Sequence, residues 1–586
     1  MTVVLPVTPT HPSRLGAALE AAGVERGALL AVAVGDRVVG LASAGARIVV
    51  QGGVEHLSAV DAAVRPRWVL WDAGSVRALV AAGVRLATCW HIAAAHRLLH
   101  GGWRADPQRA WAVEHGLDHR IAPSMGQLDL LSTATAAGAA GDPADPVQPD
   151  GYLRPEWVDG RWRADGTMAV TWAGTALDLA RRQRAALEAA APSDAEARRW
   201  SATVHAESAA ELLCGELEAD GLPVDLAIAA ELLRDMIGAR PVDDAAATAA
   251  RAELDGTVLR HLPPGSGIDL RNPADVRSML RRMGIDVPDT RAWRLETLRG
   301  DHAIVDDLLR WRKVDRIAST FGYGWLDQHV GTDGRLRGEW AASDGAAGRM
   351  TAGAGLHNLP AELRPMVRAE HGHVFVRADL GQIEPRVLAA VSGDPTLGAA
   401  TAEDDLYLPV ARRLGVERSV AKVAVLAAMY GQTSGTAGQA LRGMQSAYPT
   451  AMKYLADAAA AGETGRPLRT FGGRRLRMYS IDGAADQRAA AAGRGRYARN
   501  AMVQGAAAEL FKMWAVTVRA RAARGTQVVL CLHDELLLHV PSAAAADTVD
   551  LVRDGLAEAA HRWSPGSGVR FVADVSVVDS WADAKD

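Results

Sequence analysis

The stretch Arg377-Ala378-Asp379-Leu380-Gly381-Gln382-Ile383-Glu384 follows the apolar run Val374-Phe375-Val376. Far downstream, Leu532-His533-Asp534-Glu535-Leu536 follows Val528-Val529-Leu530-Cys531-Leu532. Each places carboxylates just past a run of β-branched and apolar residues, so each reads as a strand end. An acid at a strand end is commonplace by itself. Two such ends joined in one sheet can share a pair of divalent ions roughly 4 Å apart, an arrangement that stabilises both the attacking and the leaving oxygen of an in-line phosphoryl displacement. Between the two stretches, Arg418, Lys422, Leu426 and Tyr430 step by four. On a helix each such step drifts by about 40°, so the four side chains form one slowly winding stripe. Two cations and an aromatic on one stripe do not make a core face; they suit a triphosphate and a base. The plain alternative is an amphipathic helix whose charges are merely solvated.

These segments resemble, in order and spacing, the polymerase motifs of family A DNA polymerases, the DNA polymerase I family. Asp379-Leu380-Gly381-Gln382-Ile383-Glu384-Pro385-Arg386 resembles the first motif. Arg418-Ser419-Val420-Ala421-Lys422, with Leu426 and Tyr430-Gly431, resembles the second, the fingers helix that meets the incoming nucleotide, and His533-Asp534-Glu535 resembles the third. Upstream, Gly348-Arg349-Met350 and Leu356-His357-Asn358-Leu359-Pro360 resemble segments that run along primer and template. The similarity extends from about Glu207 to the C-terminus, roughly two thirds of the chain.

The resemblance implies a template-directed DNA polymerase that adds deoxynucleotides to a primer 3′ end with two Mg²⁺ ions, for which Mn²⁺ can substitute, in DNA repair or replication. The partners it implies are primer–template DNA and deoxynucleoside triphosphates, with no membrane, and the protein is expected to be a monomer in the cytoplasm, associated with the nucleoid. Asp379, Asp534 and Glu535 would be catalytic, with Asp379, Asp534 and Leu380 holding metal. Arg418 and Lys422 would neutralise the triphosphate and Tyr430 would stack near the nascent base pair. Leu426 would touch the sugar where the family commonly has Phe or Tyr. Glu384 would close the space beside the 2′ carbon and reject ribonucleotides. Gln382 and Tyr407 complete this nucleotide set, Tyr407 standing where a histidine often contacts phosphate; its phenol can still donate one hydrogen bond. Arg349 and Gln504 would reach minor-groove acceptors near the primer end, which A·T and G·C share. Arg496, Asn500 and Gln504 again step by four on one helix face. With Asn358 and with His533 at the primer-terminal backbone, they make up the expected DNA contacts. Two other readings compete: a single-subunit RNA polymerase-like enzyme, which Glu384 argues against, and a non-catalytic DNA-junction binding protein, which Asp379, Asp534 and Lys422 argue against.

Composition sets the outer bounds. A chain of 586 residues, 49% hydrophobic, is long enough for several cores. Its 65 Lys and Arg against 69 Asp and Glu leave a net charge of −4, so attraction to a polyanion has to come from local clusters such as Arg474-Arg475-Leu476-Arg477 and Arg488 to Arg499. Three cysteines, Cys89, Cys214 and Cys531, are too few and too scattered for a disulfide framework or a four-thiolate zinc site. The start, Met1-Thr2-Val3-Val4-Leu5-Pro6, lacks the features of a signal peptide, and no apolar run is long enough to span a bilayer.

The expected fold is α/β and multidomain: an exonuclease-like α/β N-terminal domain, then a right-hand polymerase fold with a thumb, a palm built on an antiparallel sheet, and helical fingers. The divisions are 1–190 exonuclease-like, 191–340 thumb, 341–400 first palm segment, 401–490 fingers and 491–586 second palm segment. Strands such as Ala28 to Val34 and Trp68 to Trp71 alternate with helical stretches in the first part. Ala137 to Gly151 reads as a surface loop, and Ala186 to Asp194, containing Pro192, as a connection. The exonuclease-like domain is expected to be inactive. Proofreading in this family needs an Asp-x-Glu pair and two later aspartates, yet Asp36 has no glutamate two residues on. Asp72 retains one carboxylate, and Ala176 stands where the last acid belongs. One carboxylate cannot hold two divalent ions.

Overall fold

The computed structural model describes residues 7–122, 141–431, 436–532 and 534–584. The expected loop over 137–151 therefore lies in part outside the described residues, and His533 does so entirely. The chain forms two compact units, one of residues 1–220, 339–352 and 372–577, the other of 221–338, 353–371 and 578–586.

The first unit opens with a six-stranded sheet in the order Val7–Thr10, Arg47–Gln51, Val38–Ala42, Leu29–Val34, Arg67–Leu70, Cys89–His91. The strands Leu29–Val34, Val38–Ala42 and Arg47–Gln51 form an antiparallel meander, and the outer pairs are parallel. Helix Gly166–Ala190 lies on Val38–Ala42. Gly40 permits this approach, because a Cβ there would come within 2.3 Å of the Ala169 carbonyl carbon. Trp71 stacks on Trp172 at 4.4 Å in the core beneath. That helix runs to Ala190 and the next one starts at Asp194, so the break falls at Ala191-Pro192-Ser193, where proline removes a backbone donor.

A second sheet of four strands has the order Gln527–Leu532, Glu535–Pro541, His373–Leu380, Ala573–Val578. The strand Glu535–Pro541 pairs antiparallel with both His373–Leu380 and Gln527–Leu532. The 35-residue helix Gln487–Arg521 and helix Ala545–Trp563 pack together, with the Trp514 indole donating to the Val552 carbonyl at 2.9 Å. Between the halves of this sheet in sequence come the helices Tyr407–Leu414, Arg418–Tyr430, Thr436–Ala447 and Pro449–Glu463.

A fully buried ionic cluster ties several of these segments. Glu207 on helix Asp194–Asp220 pairs with Arg474 at 2.5 Å and with Lys512 on the long helix, and Lys512 also donates to the Ala342 carbonyl at 3.1 Å. Burial alone would raise the Glu207 pKa, but Arg474 and Lys512 outweigh it and hold the group below the usual carboxylate value. A folded-state pKa that is depressed gives stability present above the unfolded value of 4.5 and lost as pH falls through the folded one. Glu207→Ala strands two buried cations, so a loss of about 3–5 kcal/mol in urea unfolding at pH 7 is expected. The gap between variant and wild type should close in acid, and a neutral-pH loss under 1 kcal/mol would contradict the assignment, at about the worth of a surface pair.

The second unit is mainly helical. Helices Leu226–Ile237, Asp244–Leu259 and Pro273–Arg282 are capped at their N-termini by Asp225, Asp243 and Asn272, each accepting from backbone N–H groups. Val258, Met279, Leu280, Val305, Leu308 and Trp311 fill its core. Among the described residues, no helix is long and apolar enough to cross a membrane.

Candidate active site

The two distant acidic stretches meet at one end of the four-stranded sheet. Asp379 lies opposite Glu535 in the strand register. Leu532 and Glu535 also pair, so Asp534 lies in the short connection of that hairpin. The Leu380 N–H donates to the Asp534 carbonyl at 2.9 Å, which fixes Asp534 beside the residue that follows Asp379. Leu380 itself is buried, so its contribution to any ligand set is limited to its main chain.

Arg377 is a member of the site that sequence reasoning missed. Two residues before Asp379 it shares that strand face, and its buried guanidinium donates to Asp379 Oδ2 at 2.6 Å and lies 3.2 Å from Glu535 Oε2. Asp574, on the neighbouring strand, is 3.8 Å away. Burial disfavours its charge, but Glu535, Asp379 and Asp574 outweigh burial and raise its pKa. A charged residue in an otherwise apolar strand, two positions from an acid, was the available signal. Asp534 shifts up, first through burial and then through Glu535 and Glu384, with Arg349 partly relieving it. Asp379 and Glu535 thus share one guanidinium, with Asp534 held beside them through its main chain and in electrostatic range of Glu535, and carboxylate oxygens are the donors a hard divalent cation such as Mg²⁺ prefers. Arg377→Met should lower the melting temperature in EDTA, and Mg²⁺ should raise it by more in the variant than in wild type, because ligand linkage then supplies the missing countercharge. Equal Mg²⁺ shifts in thermal melts of both proteins would contradict this role.

The segment after Asp379 is bonded directly to Tyr430, at one end of the helical stripe, and through Asp405 to Arg418 at the other. Glu384, in the first turn of helix Ile383–Ser392, accepts from Arg349 at 2.8 Å through one oxygen and from the Tyr430 hydroxyl at 3.2 Å through the other. The Tyr430 pKa is raised by burial and by Glu384. Gln382 adopts the left-handed conformation at φ 53° before that helix. Its amide donates to Asp405 at 3.0 Å and accepts from the Leu406 N–H at 2.7 Å. Asp405 in turn pairs with Arg418, whose guanidinium lies 5.7 Å from the Tyr407 ring centre. Lys422 is exposed and has no ion-pair partner among the described residues, while Leu426 is half-buried. The stripe expected from the four-residue spacing is therefore formed, with one of its cations neutralised internally and the other open.

On the long helix, Arg496 packs near Gly431, which ends the stripe helix at φ 69°. Arg499 donates to the Ala428 carbonyl at 2.6 Å and so fastens the two helices. The buried Asn500 Oδ1 has no donor among the described residues. Arg386, two residues past Glu384, had no role assigned by the sequence; its buried guanidinium donates to five carbonyls, those of Gly381, Thr401, Glu403, Asp404 and Arg570, at 2.6–3.1 Å. It fixes the loop that carries Asp405. Asn358 belongs to the other compact unit, where it is exposed and its carbonyl accepts from Arg316 at 3.2 Å.

In the region expected to be exonuclease-like, Asp36 is exposed in a bend after strand Leu29–Val34. Asp72 caps helix Ala73–Ala81 by accepting from the Ser75 N–H at 2.9 Å, and Ala176 is fully buried. One cleft beside Asp72 is walled by Val32, Ala33, Val34, Trp71 and Trp172, and another is lined by Asp72 together with Asp106, itself the N-cap of helix Pro107–Glu114.

Comparison with known proteins agrees with this architecture. Over 99% of its length the chain shares the fold of a solved structure described as the POL domain of Pol1 from M. smegmatis in complex with DNA primer–template and dNTP, with a TM-score of 0.67, 22% identity and 100% of that chain covered. The fold is that of a polymerase domain. The family model for DNA polymerase family A matches residues 270–583, more than half of the chain, and the chain belongs to that family. It is 32% identical over 291 residues to DNA polymerase I of Chloroflexus aurantiacus, covering 44% of this chain and 31% of that protein. To the thermostable DNA polymerase I of Thermus filiformis it is 30% identical over 326 residues, covering 50% of this chain and 38% of that protein. The matched region thus spans about a third of these relatives' length.

Proposed function

We propose that the protein is a template-directed DNA polymerase that extends a primer 3′ end with deoxynucleotides, in DNA repair or replication, without proofreading. The observation that carries this reading is the adjacency of Asp379 and Asp534 at one sheet end, with the segment after Asp379 hydrogen-bonded to Tyr430 of the stripe and to Asp405, the partner of its Arg418. Asp379 and Asp534, with the Leu380 main chain and Glu535 alongside, would hold two Mg²⁺ ions, or Mn²⁺ in their place. Bound there, divalent cations supply charge stabilisation to the oxygens of an in-line displacement. The chain's own part is positioning. Arg377 holds two carboxylates in register, Lys422 offers an unpaired ammonium to a triphosphate, and Arg418 becomes available to it by leaving Asp405. Arg349 and Gln504 would face minor-groove acceptors of the primer-end pair, with Arg496, Asn500, Asn358 and His533 as further DNA contacts. The expected partners are primer–template DNA and deoxynucleoside triphosphates, the protein acting as a monomer near the nucleoid.

Primer extension with deoxy- and ribonucleotides on a gapped template tests this reading. Deoxynucleotide extension directed by the template is expected. Ribonucleotide-only extension would favour the RNA polymerase alternative, and binding without extension the junction-binding one. In the same assay a mismatched 3′ end with Mg²⁺ and no nucleotides should stay intact, since the capping role of Asp72 and the buried Ala176 support a scaffold role for residues 1–190. Stepwise removal of bases would overturn that part.

A further inference from the structure

Helix Ile92–His100 presents His96 and His100 one turn apart, hence on one face, and the following helix, Pro107–Glu114, brings Glu114 to them. His100 Nε2 and Glu114 Oε1 are 2.7 Å apart, and one ligand atom from each of the three residues lies within 4.8 Å of the other two. His96 is 0% exposed, and neither of its ring nitrogens has a hydrogen-bond partner among the described residues. A buried imidazole with nothing to bond is costly, because it has lost water and gained no replacement.

We propose that His96, His100 and Glu114 form a site for one transition-metal ion of the Zn²⁺ class, independent of the polymerase carboxylates. Two imidazoles and one carboxylate are a known zinc donor set, and tetrahedral coordination needs its ligand atoms about 3.3 Å apart, reachable here by small side-chain rotations. Nitrogen donors select Zn²⁺, Co²⁺ or Ni²⁺ over Mg²⁺, which prefers oxygen. The opposing influence comes from Arg109, Arg477 and Arg97, which lie in coulombic range of His96. Arg97 is already paired with Glu211, and Glu114 brings a carboxylate into the site. The role is structural. Gly101 and Gly102, at φ 73° and 82°, let the chain leave His100 against the segment around Arg475 and Arg477, and a Cβ on Gly101 would meet the Arg475 carbonyl oxygen at 2.5 Å. Arg469 and Arg477 donate to the Leu99 and His100 carbonyls, both at 3.2 Å. An ion joining the two helices would stiffen the platform on which that segment rests.

Co²⁺ titration of the purified full chain, followed by visible absorption, tests the site. One equivalent giving tetrahedral d–d bands is expected, displaced by Zn²⁺ but not by Mg²⁺, retained in Asp379→Ala, and lost in both His100→Gln and Glu114→Gln. These two variants replace partly exposed or terminal-turn groups, so folding checked by circular dichroism should survive where His96→Ala could unfold the domain. Absence of the bands in the wild type, or bands that persist in both variants, would overturn the proposal.

Discussion

Asp379→Ala and Asp534→Ala are each expected to reduce single-nucleotide primer extension by at least about 10³-fold, the scale on which losing a group that stabilises transition-state charge is felt. Primer–template affinity should change by no more than a few-fold, because the expected DNA contacts, Arg349, Arg496, Asn500 and Gln504, are untouched. The electrostatics add a second, opposite readout. Asp534 is raised by burial and by Glu535 and Glu384, so its charge is held against a cost in the folded protein. Asp534→Asn removes that repulsion and should melt at a higher temperature than wild type in EDTA while failing to extend, the trade-off expected where a site is strained for function. Rapid-quench extension and calorimetry on the same preparations check both. Normal extension by either alanine variant would mean the sheet end is not the reacting centre.

Glu384→Ala should have the second largest effect, a fall of about 10²-fold in preference for deoxy- over ribonucleotides. A carboxylate placed to exclude a 2′ hydroxyl discriminates by clash and by leaving polar groups badly paired, which is the strong form of selectivity. Glu384 can do this because Arg349 and Tyr430 hold both its oxygens. Glu384→Gln keeps the bulk and should keep most of the discrimination. The ratio of kcat/KM values for matched deoxy- and ribonucleotides is the measurement. An unchanged ratio in Glu384→Ala would make Glu384 only the clasp for Arg349 and Tyr430.

What the sequence disclosed and what it hid follow the range of the interactions involved. Strand ends at Asp379 and Asp534, and the stripe from Arg418 to Tyr430, depend on local periodicity, and both are present. The meeting of the two acids needed only that the two strands be neighbours, which the family resemblance supplied. Pairings across strands and loops were hidden. Arg377 acquires its role from the register that sets Asp379 opposite Glu535, and Arg418 its partner from a loop held by Arg386. Asp72 could be read as a lone surviving catalytic acid, whereas Asp-x-x-Ser before a helix equally describes the cap it forms. His96, His100 and Glu114 were hidden because they sit on two helices joined by a turn, and only packing shows that one of them is buried without a partner among the described residues.

Asp379 and Asp534 are proposed to grip the same divalent ions. Replacing Mg²⁺ with Fe²⁺ and generating hydroxyl radicals at the bound iron would cut the chain wherever the main chain lies close to it. Cuts near both 379 and 534 are predicted, competed away by Mg²⁺ and abolished together by Asp379→Ala. Cutting at one of the two segments alone, or at both with no response to that substitution, would contradict a shared site.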